Sequence, residues 1–171
     1  MLKKIMQDFE KYQDVDEELI KKYKDDLPED ILTIWKDYGF GSFYNGFLKV
    51  INPLDYSEFV EKTFFRKDSI PIMTTGTGEI IAWVANEFIY MLDYVENDFE
   101  NLACTFEFFW EDLDNKIIEF LCNKAQNYKK LVNERGRLEY KECFVMEKKI
   151  IGEKIDTFEY VNKLVELYGN I

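Results

Sequence analysis

An α+β fold, with helices flanking a mainly antiparallel sheet, is what this sequence predicts, and three observations carry it. Apolar residues recur at helical spacing near both ends of the chain. Three short apolar runs punctuated by tight-turn residues occupy 70–95. At 47% apolar and 17% aromatic over 171 residues, the chain can bury a core of its own, as one domain or one domain with a small appended subdomain.

The first 38 residues read as helices. Leu2, Ile5, Met6 and Phe9 keep helical spacing. Asp16 offers an N-cap, with acids in the first turn after it and lysines in the last. Pro28 suits the first position of a further helix, Ile31, Ile34, Trp35 and Tyr38 form its apolar stripe, and Gly39 fits the left-handed residue past its end. Gly39, Gly41 and Gly46 break any helix. FLKVI at 47–51 reads as a strand stopped by Asn52 and Pro53, and helical spacing resumes from Pro53. Ile70, Ile72 and Thr74 lead into TGTG, and EIIAWV and EFIYMLDYV follow, separated by Ala85 and Asn86, giving three short antiparallel strands. From 105 to 135 the pattern is helical again: FEFFWEDLDNKIIEFLC as one helix or two, then a helix closed by Gly136. LEYKECFVMEKKIIG supplies one or two more strands. A last helix is capped by Asp156, buries Phe158, Val161, Leu164, Val165 and Tyr168, and ends at Gly169.

Composition excludes several chemistries. The chain has no histidine, which removes Ser-His-Asp and Cys-His catalysis as usually built and every imidazole metal site. Its three cysteines, Cys104, Cys122 and Cys143, are widely spaced without a CxxC pair, so buried free thiols in a reducing compartment are expected. No apolar run approaches the roughly 18 residues of a membrane helix. The start lacks the apolar middle and cleavage site of a signal peptide, and a cytoplasmic location is expected.

The net charge is −12, and residues 68–115, with eleven acids and no lysine or arginine, account for −11 of it. That sign disfavours direct binding to nucleic acid or anionic membrane. It suits a solvated acidic face or a docking surface for a basic protein.

Two motifs bear on catalysis. TTGTGEIIAW, 74–83, resembles a phosphate loop in its glycines. A phosphate loop, however, opens a helix and carries a lysine. Here another strand follows, and Glu79 would repel the anion, so a tight turn is expected. In WEDLD, 110–114, Glu111 and Asp114 share a helix face, where paired carboxylates can bind Mg²⁺ or Ca²⁺ or run acid–base chemistry. No EF-hand spacing or second acidic motif accompanies them. Exposed helical acids are the ordinary alternative, and no metal or cofactor is expected. Trp35, Trp83 and Trp110 read first as core.

LPEDILTIWKDYGFGSFYNGFLKVINPLDY followed by IPIMTTGTGEIIAWVANEFIYMLDY resembles the GAD-related (GAD-like) domain of bacteria over about residues 25–95. The later LEYKECFVMEKKIIGEKIDTFEYVNKLVELYG is similar to the small C-terminal module that accompanies that domain, although it lacks the usual proline after its Cys-aromatic start. The resemblance implies a GAD-like domain over 1–100 and an immunity-type module over 101–171 packed on it. It also implies a more distant likeness to the SUKH superfamily. The function implied is that of an immunity protein that neutralises a type VI or related DNase effector, with no enzymatic activity, no cofactor and a basic toxin as partner. A SUKH-like regulatory module with a non-toxin partner and a carboxylate-dependent hydrolase remain the alternatives, and the oligomeric state stays open. The acid-only segment supplies the candidate surface: Glu96, Asp98, Glu100, Glu111, Asp112 and Asp114, with Phe99 or Trp110 as an apolar anchor.

Overall fold

A computed structural model of the chain describes residues 2–115, 119–147 and 151–171. Seven strands form one sheet in which every neighbour is next in sequence and every pair antiparallel. They are β1 (Glu10–Gln13), β2 (Phe40–Phe43), β3 (Leu48–Val50), β4 (Ser69–Thr75), β5 (Ile80–Val84), β6 (Phe88–Asp93) and β7 (Asp98–Ala103). A separate ribbon pairs β8 (Glu142–Phe144) with β9 (Lys154–Asp156). The helices are α1 (Leu2–Ile5), α2 (Glu17–Tyr23), α3 (Glu29–Asp37), α4 (Ser57–Thr63), α5 (Phe106–Asn115), α6 (Glu119–Arg135) and α7 (Thr157–Tyr168).

Both faces of the sheet are covered. The larger core cluster joins one face to α1, α2, α3, α5 and α6 through Ile31, Trp35, Met91, Phe109 and Leu121. A second cluster joins the other face to α4 and α7 through Phe59, Val60, Leu92, Val161 and Leu164. β5 shows the consequence. Ile81 and Trp83 enter the first cluster, Ile80, Ala82 and Val84 the second, and all five are buried.

Local signals explain most boundaries. The side chains of Asp16 and Asp156 accept from the amides of Glu18 and Phe158, as N-caps do. Gly39 adopts φ +87 just past α3, while Ala85 and Asn86, at φ 57 and 53, make the left-handed two-residue turn between β5 and β6. Trp35, Trp83 and Trp110 are all core residues.

The structure departs from expectation in several places, among them Phe158 and Tyr168 of α7, which are exposed and not buried. Residues 10–13 are the strand β1 and not helix, and glycine is why β2 can lie against them. A Cβ at Gly41 would stand 2.3 Å from the Glu10 carbonyl oxygen. The same glycines hide β2 itself. β7 was not foreseen, because its acids mask the strand pattern. Of the cysteines only Cys143 is buried, with Cys104 exposed and Cys122 between. Residues 116–118 and 148–150, within the expected helical and strand segments, lie outside the described residues. The boundary expected at 100/101 falls inside β7, and residues on both sides of it share the two core clusters.

The C-terminal segment is fastened to the sheet by polar contacts. The Phe144 amide donates to the Gly76 carbonyl at 2.8 Å, and the Tyr140 hydroxyl to that of Val50 at 2.6 Å. Lys49, 2% exposed, donates to the carbonyls of Glu139 and Glu142. Gly76 leaves no room for a side chain, because a Cβ there would meet the Tyr128 ring at 2.4 Å.

Two outcomes are expected. Gly76→Ala costs about 1–3 kcal/mol in chemical denaturation, by overpacking against Tyr128. Burial lowers the Lys49 pKa from 10.5 to about 8, against weaker support from Cys143 and Glu142. A depressed value means that the group's contribution is present above its unfolded pKa and lost as pH falls through the folded one. The stability of the wild type relative to Lys49→Met should therefore rise between pH 8 and 10.5, by about 3 kcal/mol, in paired urea titrations.

Candidate functional site along the last strand

The TGTG turn is the place to start. It joins β4 to β5, with the Thr75 amide donating to the Glu79 carbonyl at 3.0 Å and that of Gly78 to the Thr75 carbonyl at 3.3 Å. It is a turn between strands, not a phosphate loop, and it is buried throughout. Its polar side chains converge on Glu79, which is 1% exposed. The hydroxyls of Thr75 and Thr77 both donate to Glu79 Oε2, the latter at 2.6 Å.

The other carboxylate oxygen meets a cation from across the core. Lys124 Nζ, on α6, stands 2.7 Å from Glu79 Oε1 and 2.5 Å from Asp93 Oδ2. Asp93 closes β6, and Ile80 pairs with Leu92, so Glu79 and Asp93 flank that pair at the ends of adjacent strands. Two buried like charges so placed repel, and Lys124 offsets this. Desolvation raises the Asp93 pKa, repulsion from Glu79 raises it further, and Lys124 opposes both. Burial alone would lower the Lys124 pKa, but Glu79 and Asp93 outweigh it and hold the value above that of an ordinary lysine. Lys124 is therefore an ammonium, unsuited to act as a base or nucleophile near neutral pH.

Asp93 passes this order onward. Its Oδ1 accepts from the amides of Val95 and Glu96 at 3.0 and 3.1 Å, fixing the turn into β7. β7 then carries four consecutive exposed residues, Asp98 to Asn101. A cleft of about 460 Å³ opens between this strand and α6. Glu96, Asp98, Phe99 and Glu100 line one side, and Lys124 and Asn127 the other. Among the described residues, Glu96, Asp98 and Glu100 make no ion pair.

Four of the eight residues expected at a docking surface thus share one cleft. The remaining four sit on α5. Glu111 is exposed, Asp112 and Asp114 are half-buried, and Asp114 is paired with Lys4 at 2.8 Å. Trp110 is 2% exposed, packed on Phe106 and Phe109, with its indole N–H on Asp30 at 3.1 Å. It is a core residue, which leaves Phe99 as the surface aromatic. No cluster of metal-ligating side chains occurs among the described residues, Glu111 and Asp114 included. No described helix is long and apolar enough to cross a membrane.

Sequence reasoning missed Lys124, which meets Glu79 from 45 positions away, and placed Glu79 and Asp93 in the acid-only segment without a buried partner. A usable signal was present. Hydroxyls at 75 and 77, four and two residues before a glutamate in a glycine turn, are the donors a buried carboxylate requires.

Replacing Lys124 by Met should leave Glu79 and Asp93 buried without their cation. The expected cost is about 3–5 kcal/mol at neutral pH. The raised Asp93 pKa means that stability is favoured at low pH, so the deficit should shrink on acidification as Asp93 takes up a proton. Urea titrations of both proteins from pH 7 to 4 measure this.

Comparisons with known proteins agree with this architecture. A crystal structure of Atu4351 from Agrobacterium tumefaciens is similar, with a TM-score of 0.72 at 15% identity over 97% of this chain and 89% of that one. At that identity the likeness concerns the fold. A search among curated proteins found no match. The family model of the GAD-like domain matches residues 1–92, more than half the chain, and the protein belongs to the GAD-like domain family.

Proposed function

We propose that the protein is an immunity protein, which binds a cognate antibacterial toxin and blocks it stoichiometrically. The toxin is a basic nuclease of a type VI or related secretion system, and binding takes place in the cytoplasm. The observation that carries this reading is the acidic rim along β7 and the turn before it: three exposed carboxylates without ion pairs among the described residues, beside an open cleft and the half-exposed Phe99. A nuclease grips DNA with a cationic surface, and an acidic rim is complementary to it. Preformed charge of this kind speeds encounter and discourages anionic competitors.

Chemistry at the cleft supports binding over catalysis. Its cation, Lys124, is held as an ammonium between two carboxylates, and both carboxylates already spend their oxygens on structural donors. The chain also has no histidine to serve as a general base.

The test is co-expression with the adjacent open reading frame, scored for rescue of growth and for co-purification. Rescue by the wild type is expected. The triple variant Glu96→Lys, Asp98→Lys, Glu100→Lys should associate at least about ten-fold more slowly at low salt, and the difference should narrow as salt rises. Unchanged affinity at low salt would remove the β7 rim from the interface. A co-purifying partner that is not toxic would move the protein to the class of SUKH-like binding modules.

A further inference from the structure

We propose that β7 is a docking edge, to which an extended segment of the partner adds as an eighth strand with cationic and apolar side chains in alternation. This deepens the reading of the β7 rim as the partner surface and rests on it.

β7 ends the sheet. Among the described residues its outward backbone groups have no ladder partner, and such an edge is a template for another chain. The opposite terminal strand is differently placed, because the C-terminal segment engages its side chains. Tyr12 of β1 stacks on Tyr140 with centroids 4.2 Å apart, and Glu10 pairs with Arg137 at 2.6 Å. On β7, residues 98–101 are exposed in succession, a run long enough for a four-residue ladder.

Register sets what that edge displays. Asp98 lies opposite Asp93 and Glu100 opposite Met91, so both carboxylates project toward the α6 cleft. Phe99 borders the cleft but lies opposite Leu92 and sends its ring to the other face, the ring centroid 5.1 Å from that of Phe65 and 5.8 Å from that of Tyr90. Phe65 is 57% and Phe99 37% exposed, so an apolar patch flanks the edge on this face. A strand laid alongside carries the same period of two. Residues opposite Asp98 and Glu100 fall on the acidic side and one opposite Phe99 falls beside Phe65, which calls for cation, apolar, cation.

Charge selects the occupant. A second copy of β7 would set carboxylates against carboxylates, so the edge resists self-pairing. A basic strand gains from the same groups. The Phe99 amide now donates to the Asp98 carboxylate at 2.8 Å. A cationic side chain that drew this carboxylate away would release the amide.

The test uses the full chain and a capped octapeptide alternating lysine with valine and phenylalanine. Binding is followed by fluorescence anisotropy, and amide hydrogen exchange by NMR. Saturating peptide should slow exchange at amides within 98–101 by about ten-fold. The same peptide N-methylated at every amide keeps its charge but cannot extend a ladder, and should not bind. The double variant Asp98→Lys, Glu100→Lys should weaken the parent peptide at least about ten-fold at low salt. Absence of binding, equal binding of the N-methylated peptide, or unaltered exchange at 98–101 would each overturn strand addition. Toxin binding by the triple variant separates the two ideas. If charge reversal weakens the toxin while the peptide leaves exchange unchanged, the acidic rim stands and the added strand falls. If reversal leaves the toxin unaffected, the rim reading falls.

Discussion

A buried ammonium between two buried carboxylates holds the β7 end of the sheet in place. Glu79 and Asp93 sit at the ends of adjacent strands because the β5–β6 register puts them there. Without a cation between them, desolvation and mutual repulsion would both oppose burial. Lys124 supplies that cation from α6, at 2.7 and 2.5 Å. The consequence reaches further than the triad. Asp93 also holds the amides of Val95 and Glu96, so the path into β7 depends on a carboxylate that depends in turn on α6. The TGTG turn joins the same unit through the Thr75 and Thr77 hydroxyls. One ion cluster thus couples the turn after β4, the helix on one face and the terminal strand.

The acidic segment is two populations with opposite roles. Four of its eleven acids are paired: Glu79 and Asp93 with Lys124, Asp68 with Arg66 and Asp114 with Lys4. The other seven make no ion pair among the described residues. Glu96, Asp98 and Glu100 are on the β7 side of the cleft, Glu107, Glu111 and Asp112 are on α5, and Glu87 follows the β5–β6 turn. Net charge read along the chain cannot separate these groups, since the sign of an acid says nothing of whether a lysine 45 positions later will fold against it. Burial sets Glu79 and Asp93 apart from the other nine: an ionised group inside must be paired, while one outside is stabilised by water whether or not a cation stands beside it.

The same distinction explains what could be read from the sequence. Caps and turns depend on neighbours in the chain, so Asp16, Asp156, Gly39 and the Ala85–Asn86 turn were legible, as was the helical stripe of α3. β1 and β2 were not. Their pairing turns on how closely the Gly39 and Gly41 backbone can approach residues 10–13, a fact about two distant segments together. β7 was hidden for a different reason. As a terminal strand it has no need of apolar residues at 98–101, so it carries little of the alternation that marks a half-buried strand. The residues that made it unreadable as a strand, Asp98, Phe99 and Glu100, are the ones that made it readable as a surface.

A surface of this kind is useful only if it is stiff. A partner that meets a mobile acidic loop must spend part of the interaction ordering both sides, whereas one that meets a paired strand orders only itself. β7 is hydrogen-bonded to β6 along one side, closed at its start by the Asp93-bound turn and packed through Leu102 at its end. Its inner side is thus fully determined, while its outer side is unpaired among the described residues. The acids let that exposed edge persist without self-association, since any copy of the same edge repels it. On the proposed reading, resistance to self-pairing and selectivity come from the same carboxylates. A neutral edge would gain pairing with copies of itself, and a basic one would gain nucleic acid as a competitor for the surface. On the reading proposed above, an acidic edge with an aromatic patch on its far face leaves a segment of the opposite charge as its occupant.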